Sequence, residues 1–261
     1  MNYLQAIILG VVEGITEFLP ISSTYHLIIA SSILGLNQTD FVKLFEVFIQ
    51  SGAILSVLLL YIKDVVKDKR LFILVGASFI PTAIVGLLLH KVIKNVFFET
   101  PLLMATVFII AGIIFIVIEW LIKKEKIKLK LEIGDLTLKS AILIGLFQAL
   151  AVVPGVSRAG AVIVTMMILR YRRDDSAKYS FLLSIPTIFA ASALDAFQMR
   201  GVMFANMNSF GLLLVGFVTA FISSYFVVKW FIRYLQTNTL TIFGIYRLVV
   251  GGTVLLSLFL R

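Results

Sequence analysis

The chain has 261 residues, of which 60% are hydrophobic and only 14% charged, with a mean hydropathy of +1.06; this excludes an ordinary water-soluble domain and points to a polytopic membrane protein. A formal net charge of +9 raises nucleic acid as a partner, but the cations lie in short loops between apolar runs. That pattern is topogenic, and no nucleic-acid partner is expected. There is no cysteine, which removes disulfides and thiolate metal sites, and the N-terminal apolar stretch, broken by Glu13 and Glu17, reads as no removable signal peptide.

In chain order, two short apolar pieces at about 2–18 and 25–36 flank Pro20, and each is too short to cross roughly 30 Å of hydrocarbon. Long apolar runs follow at about 41–62, 71–90 and 101–122. A lysine-rich connector, 123–137, suits the face of an anionic inner leaflet. A second pair of short pieces, about 138–152 and 156–169, flanks Pro154, and long runs return at about 176–199, 208–235 and 240–260. The stretch from Gly10 to Thr24 is echoed by that from Gly145 to Arg158, each an apolar run with a carboxylate or amide, then a proline break, then small hydroxyl residues. Short broken segments at matching places in two halves point to a buried site at the bilayer midplane. The expected fold is therefore all-α and polytopic, with six transmembrane helices plus two re-entrant helical hairpins related as inverted repeats. Residues 1–122 form the first repeat and 138–261 the second.

Loop charge orients this scheme. Loops 63–70, 123–139 and 170–175, with the 229–233 end that carries Lys229 and Arg233, share one face and hold most of the cations, whereas the other face holds little beyond Lys91, Lys94, Arg200 and Arg261. The positive-inside rule then places both termini outside, with the two hairpin tips meeting near mid-membrane.

The tips carry the chemistry. Glu13 and Glu17 are spaced i, i+4, so both carboxylates leave one helix face about a turn apart and repel unless a proton or a cation sits between them. The bland reading is a helix end dipping into headgroup water; the functional one is a divalent-cation or general-base site. Ser22, Ser23 and Thr24 stand where an N-cap belongs, with hydroxyls left over for phosphate, and His26 follows Ser23 at i+3, within reach for acid–base exchange. In the second tip, Pro154, Gly155, Ser157 and Arg158 offer a flexible backbone, a hydroxyl and a guanidinium suited to bidentate phosphate contacts. Together these are the parts of a site that binds and cleaves phosphate.

The runs from Glu13 to His26 and from Pro154 to Arg158 resemble the two signature motifs of the undecaprenyl-diphosphate phosphatase family, the bacitracin-resistance proteins. Further matches are Phe45-Glu46-Val47 with Ile49-Gln50, the run from Tyr179 to Pro186, and Ile245-Tyr246-Arg247, so the resemblance spans nearly the whole chain. It implies a bacterial cell-membrane enzyme that hydrolyses undecaprenyl diphosphate to the monophosphate and inorganic phosphate. The lipid carrier is thereby recycled for cell-wall synthesis, with resistance to bacitracin. It further implies catalytic positions at Glu13, Glu17, Ser23, His26 and Arg158, with phosphate contacts from Ser22, Thr24, Gly155, Ser157 and Arg158. Glu13 and Glu17 are the expected ligands of a divalent cation, Mg2+ or Ca2+. The site is expected to open to the extracytoplasmic side, against membrane lipid, and an oligomer is compatible with the chain. The family usually has Gly where this chain has Tyr25, and Ser and Thr where it has Ala159 and Val162; the first is expected to narrow the cavity and the others to remove hydroxyls that orient phosphate. Ser23 and a water both remain as the attacking group. The alternative function is a secondary transporter or polyprenyl-phosphate flippase on the same inverted repeat.

Overall fold

The computed structural model describes residues 1–92, 100–198, 201 and 207–260. The loop cations Lys94, Arg200 and Arg261 lie outside them. The chain is 83% helical with no strands among the described residues. Its helices are α1 (Tyr3–Thr16), α2 (Ser23–Ile33), α3 (Asp40–Lys67), α4 (Lys69–Val92), α5 (Pro101–Lys123), α6 (Leu138–Gln148), α7 (Arg158–Ile168), α8 (Arg173–Gln198), α9 (Met207–Thr237) and α10 (Thr241–Phe259). Six of these, α3, α4, α5, α8, α9 and α10, are long and apolar enough to cross a membrane, as the sequence predicts. The other four are short: at 1.5 Å per residue, the 14 residues of α1 extend only about 21 Å.

Local sequence sets where these helices begin. Asn2 caps α1 by accepting from the Gln5 N–H at 2.9 Å, while the Gln5 side chain accepts from the Asn2 N–H at 2.8 Å, a reciprocal capping box. Thr39 and Thr137 cap α3 and α6 in the same sense. Pro20 and Pro154 lie in the non-helical turns between α1 and α2 and between α6 and α7, where neither needs a backbone N–H.

The helices of the two halves pair with each other. α1 packs along α9 and α6 along α4; α3 lies against α8 and α9, and α5 against α10. The α4–α6 crossing is so close that a Cβ on Gly145 would come within 2.1 Å of the Ser78 carbonyl oxygen. Only a glycine lets those backbones meet there. One core cluster gathers Phe18, Leu19 and Ile21 from the first turn with Ala159 and Ile163 from α7, Phe181 from α8 and Phe231 from α9.

The connector is latched to the protein. Lys130 and Leu131 N–H groups donate to the Arg170 carbonyl, and Arg172 N–H donates to Leu131 O at 2.9 Å. Ile127 and Leu129 pack on one core cluster and Leu131 and Ile133 on another, while Arg70 donates to the carbonyls of Gly134 and Leu136. Close by, the buried Glu119 of α5 accepts from the guanidinium of Arg173 and from the Leu240 N–H, joining the ends of α5, α8 and α10.

Arg247, fully buried on α10, ties the tips together. It donates to the carbonyls of Phe108 at 2.9 Å, Pro20 at 3.0 Å and Gly155, and its guanidinium lies 4.4 Å from the centre of the Phe108 ring. The carbonyls of both proline-broken turns thus receive donors from within the protein. Each buried acceptor left without a donor costs about 1–3 kcal/mol. Arg247→Met strips three carbonyls at once, and the purified protein in detergent should melt on the order of 10 °C lower; an unchanged melting temperature would show that the tips do not depend on this residue.

Candidate active site

Both turns end on a serine in the left-handed backbone region. Ser22 has φ 66° and Ser157 φ 72°, and each is the residue that opens the following helix. Such a backbone costs a non-glycine residue on the order of 1–3 kcal/mol and persists only where its surroundings fix it. Ser157 uses its hydroxyl as a helix cap, accepting from the Gly160 N–H at 3.2 Å, whereas Ser22 makes no capping bond through its side chain. Gly155 occupies φ 100°, and a Cβ there would come within 2.7 Å of the Met104 carbonyl. No other residue fits that turn without displacing α5.

Glu17, one residue past α1, stands at the centre. Ser23 Oγ donates to Glu17 Oε2 at 2.5 Å, and Arg158 Nη2 donates to Glu17 Oε1 at 2.8 Å. Arg158 Nη1 donates to the Ser180 carbonyl at 2.9 Å, which holds the guanidinium plane in place. Its third nitrogen, Nε, is buried without a partner. The first turn therefore supplies carboxylate and hydroxyl, the second supplies guanidinium, and an ion pair joins them across 141 positions of sequence. Glu17 and Arg158 are both largely buried, so the pair operates at low dielectric, where charges act strongly.

These groups line a cavity of about 190 Å³ together with Ser22, Thr24, Pro154, Gly155 and Ser157. At about 30 Å³ for each water in the liquid, it is the size of a small hydrated anion. Gln50, Thr82, Gln148 and Thr187, from α3, α4, α6 and α8, complete its polar lining. None of these four was expected as a site residue, although Gln148 is the amide of the repeated pattern. The threonines carry no local signal, since each stands alone in a spanning helix.

Other expected residues lie elsewhere. His26 is not in the cavity lining, and its ring hydrogen-bonds to Ser22 and Tyr246 and not to Ser23. Its Nδ1 lies 2.8 Å from the Ser22 carbonyl, which only accepts, so Nδ1 carries the hydrogen and the neutral ring's Nε2 accepts from the Tyr246 hydroxyl at 2.7 Å. The i, i+3 spacing was met, but a backbone carbonyl one turn back captured the ring. Tyr246, on a helix 220 positions away, could not be found from local spacing. Tyr25 is buried and stacks on Phe108 at 4.3 Å, outside the cavity lining, so it does not narrow the cavity. Ala159 and Val162 likewise pack into apolar clusters, and hydroxyls at those places would not face the cavity.

Glu13 is fully buried and neither of its carboxylate oxygens has a hydrogen-bond partner. An unpaired buried carboxylate is a fitting ligand for a hard divalent cation. Glu17 is less free, since both of its oxygens are engaged, and no group of three or more candidate ligands forms among the described residues. All buried side-chain atoms lacking a partner among the described residues fall on Glu13, Tyr25, Gln148, Arg158 and Ser180. Each belongs to the turns or to helices packed on them. Two of them, Gln148 and Arg158, line the cavity, and unsatisfied groups beside a cavity mark where a ligand belongs.

Comparison with known proteins gives one family across nearly the whole chain. The family model described as bacitracin resistance protein BacA matches residues 6–253. A protein of Aquifex aeolicus named undecaprenyl-diphosphatase is 44% identical over 251 residues, covering 96% of each chain. Proteins of the same name from Campylobacter fetus and from a Sulfurihydrogenibium species are 42% and 43% identical, covering 98% and 96% of this chain and 99% and 97% of their own.

The geometry around Glu17 sets an expectation for substitutions. Glu17→Gln removes the negative charge and one of the two acceptors, so the side chain can no longer both accept from Ser23 and pair with Arg158, and phosphate release should fall at least about a hundredfold. Arg158→Ala should lose most activity, and Arg158→Lys should recover little of it, because one ammonium does not reproduce a fork spanning Glu17, Ser180 and a phosphate. Full activity in the lysine variant would reduce Arg158 to a simple source of charge.

Proposed function

Since the chain belongs to the bacitracin resistance protein BacA family, we propose that it is an integral-membrane phosphatase converting undecaprenyl diphosphate to the monophosphate and inorganic phosphate. The observation that carries this reading is the Ser23–Glu17–Arg158 chain at the cavity between the two turns. A hydroxyl donating to a buried carboxylate at 2.5 Å is a nucleophile beside its base.

In this mechanism Ser23 Oγ attacks the terminal phosphorus while its proton passes to Glu17. The bond from that phosphorus to the bridging oxygen breaks, and the bridging oxygen leaves with the lipid monophosphate. Water then displaces Ser23 from the phosphoserine, releasing inorganic phosphate and restoring the hydroxyl. Arg158 offers its unpaired Nε–H to the charge that builds on the phosphoryl oxygens. His26 acts from behind: its Nδ1–H holds the Ser22 carbonyl, and with it the left-handed turn that aims Ser23. Glu13 would hold a divalent cation, Mg2+ or Ca2+, which when bound offsets the charge of the diphosphate.

The architecture proposed with this function is an inverted repeat of residues 1–122 and 138–261 joined by the connector 123–137, each half opening with a re-entrant hairpin. The reciprocal pairings support it, α1 with α9 and α6 with α4. The prenyl tail would stay among the apolar side chains that face outward, such as Ile73, Leu87 and Val249, and the site would open to the extracytoplasmic side with both termini outside. Reciprocal broken helices are also a transporter architecture, so the same pairings favour a flippase as the second reading.

Release of phosphate separates the two. Purified protein in detergent, with no second compartment, should liberate inorganic phosphate from a polyprenyl diphosphate, and Glu13→Gln should weaken the dependence on added divalent cation. Absence of release under all cation conditions would leave the transporter reading. Topology is tested independently: a cysteine at Asn2 should react with a membrane-impermeant reagent on intact cells, whereas one at Lys128 should react only after permeabilisation. Labelling of the Lys128 position in sealed cells would invert the orientation.

A further inference from the structure

Besides the Glu17–Arg158 pair, the cavity is lined by a neutral cluster whose hydrogen-bond directions are fixed by counting protons. Thr82 has one hydroxyl hydrogen, and it goes to the Gly145 carbonyl at 3.0 Å. Thr187 donates its own to the Leu183 carbonyl at 2.7 Å. Both threonine oxygens are thereby acceptors only toward the Gln148 side chain. Gln148 must turn its NH2 toward them, at 2.8 Å from Thr82 Oγ1 and 3.4 Å from Thr187 Oγ1, because a flipped amide would set a carbonyl against two acceptors. The Gln148 carbonyl is committed to the remaining direction, and there Oε1 is buried with no donor. The residue that echoes it in the first half is Glu13, which is also fully buried with unpaired oxygens.

A carbonyl held in one orientation beside a phosphate-sized cavity calls for a donor that arrives with the ligand. Fully ionised phosphate presents acceptors alone and would oppose it. Phosphate carrying one proton presents a P–OH, and that state is populated near neutral pH, since a phosphomonoester has its second pKa at about 6. We propose that Gln148, oriented by Thr82 and Thr187, forms a subsite that accepts a hydrogen bond from a protonated phosphate oxygen. The inference rests on the phosphatase reading of the cavity and extends it to a side chain outside the Ser23–Glu17–Arg158 chain. The P–OH has two sources: the terminal phosphate of the bound lipid and the inorganic phosphate set free by cleavage.

The test uses the purified full-length chain in detergent and reads three quantities: the inhibition constant for inorganic phosphate, the KM for polyprenyl diphosphate, and the rise in melting temperature that inorganic phosphate causes. In Gln148→Met the inhibition constant should rise roughly tenfold, the worth of one buried hydrogen bond, and the phosphate-induced stabilisation should shrink. If KM stays within about threefold, the subsite holds the released phosphate; if KM rises alongside, it holds the headgroup of the lipid. Unchanged values of all three in a folded variant overturn the proposal. Thr82→Val with Thr187→Val leaves Gln148 in place but frees its amide to turn, and should give a smaller loss of the same kind. That pair also decides the matter if Gln148→Met does not fold, an unchanged phosphate affinity again being the overturning result. Stabilisation by phosphate needs no turnover. A chain stabilised through Gln148 that cleaves no diphosphate would therefore sink the phosphatase reading and leave the subsite standing.

Discussion

The structure depends on the Arg247 guanidinium reaching from α10 into the space between two proline-broken turns. Irregular backbone buried away from water is tolerated only when the protein itself satisfies it, and here one side chain serves Pro20, Gly155 and Phe108 together. Among the described residues it is a cation without a carboxylate partner, held by carbonyl dipoles and by the faces of Phe108 and Phe115. A bridge through carbonyls draws on no carboxylate, which leaves Glu17 to Ser23 and Arg158. It also fixes the distance between turns that belong to different halves of the chain, which is what allows Glu17 and Arg158 to meet.

Given that frame, the site divides its polar groups into two kinds. Ser23, Glu17 and Arg158 satisfy one another and hold their geometry before any substrate arrives. Glu13, the Arg158 Nε and Gln148 Oε1 do not. In the proposed mechanism the preorganised groups set direction, while the unpaired Arg158 Nε and Gln148 Oε1 at the cavity wait for a ligand. The two left-handed serines belong to the first kind, because each fixes where a helix begins relative to the turn before it.

The spanning helices were legible because hydropathy over some twenty residues is a local property, and the broken segments because proline and short apolar runs are local too. The encounter of the two turns followed from loop charge and the repeated pattern. What stayed hidden depends on rotation and distance. His26 sits at the expected spacing from Ser23, yet its ring turns to the Ser22 carbonyl and to Tyr246, a choice set by a helix far along the chain. Arg247 appears in sequence only as one matching residue in an apolar run, and nothing local says that it reaches both turns. Thr82 and Thr187 gain meaning only when Gln148 lies between them.

The connector bears on how the molecule can be taken apart. Lys123 to Thr137 is a polar, lysine-rich stretch between two apolar halves, and so a tempting place to cut a gene or insert a tag. In the structure its apolar residues are seated in both core clusters, and its backbone is bonded to the Arg170–Arg172 loop of the second half and to Arg70 of the first. The seam is thus a third structural part and not slack chain. Two halves expressed as separate polypeptides would compete for it, and whichever kept it would carry the docking surface needed for reassembly.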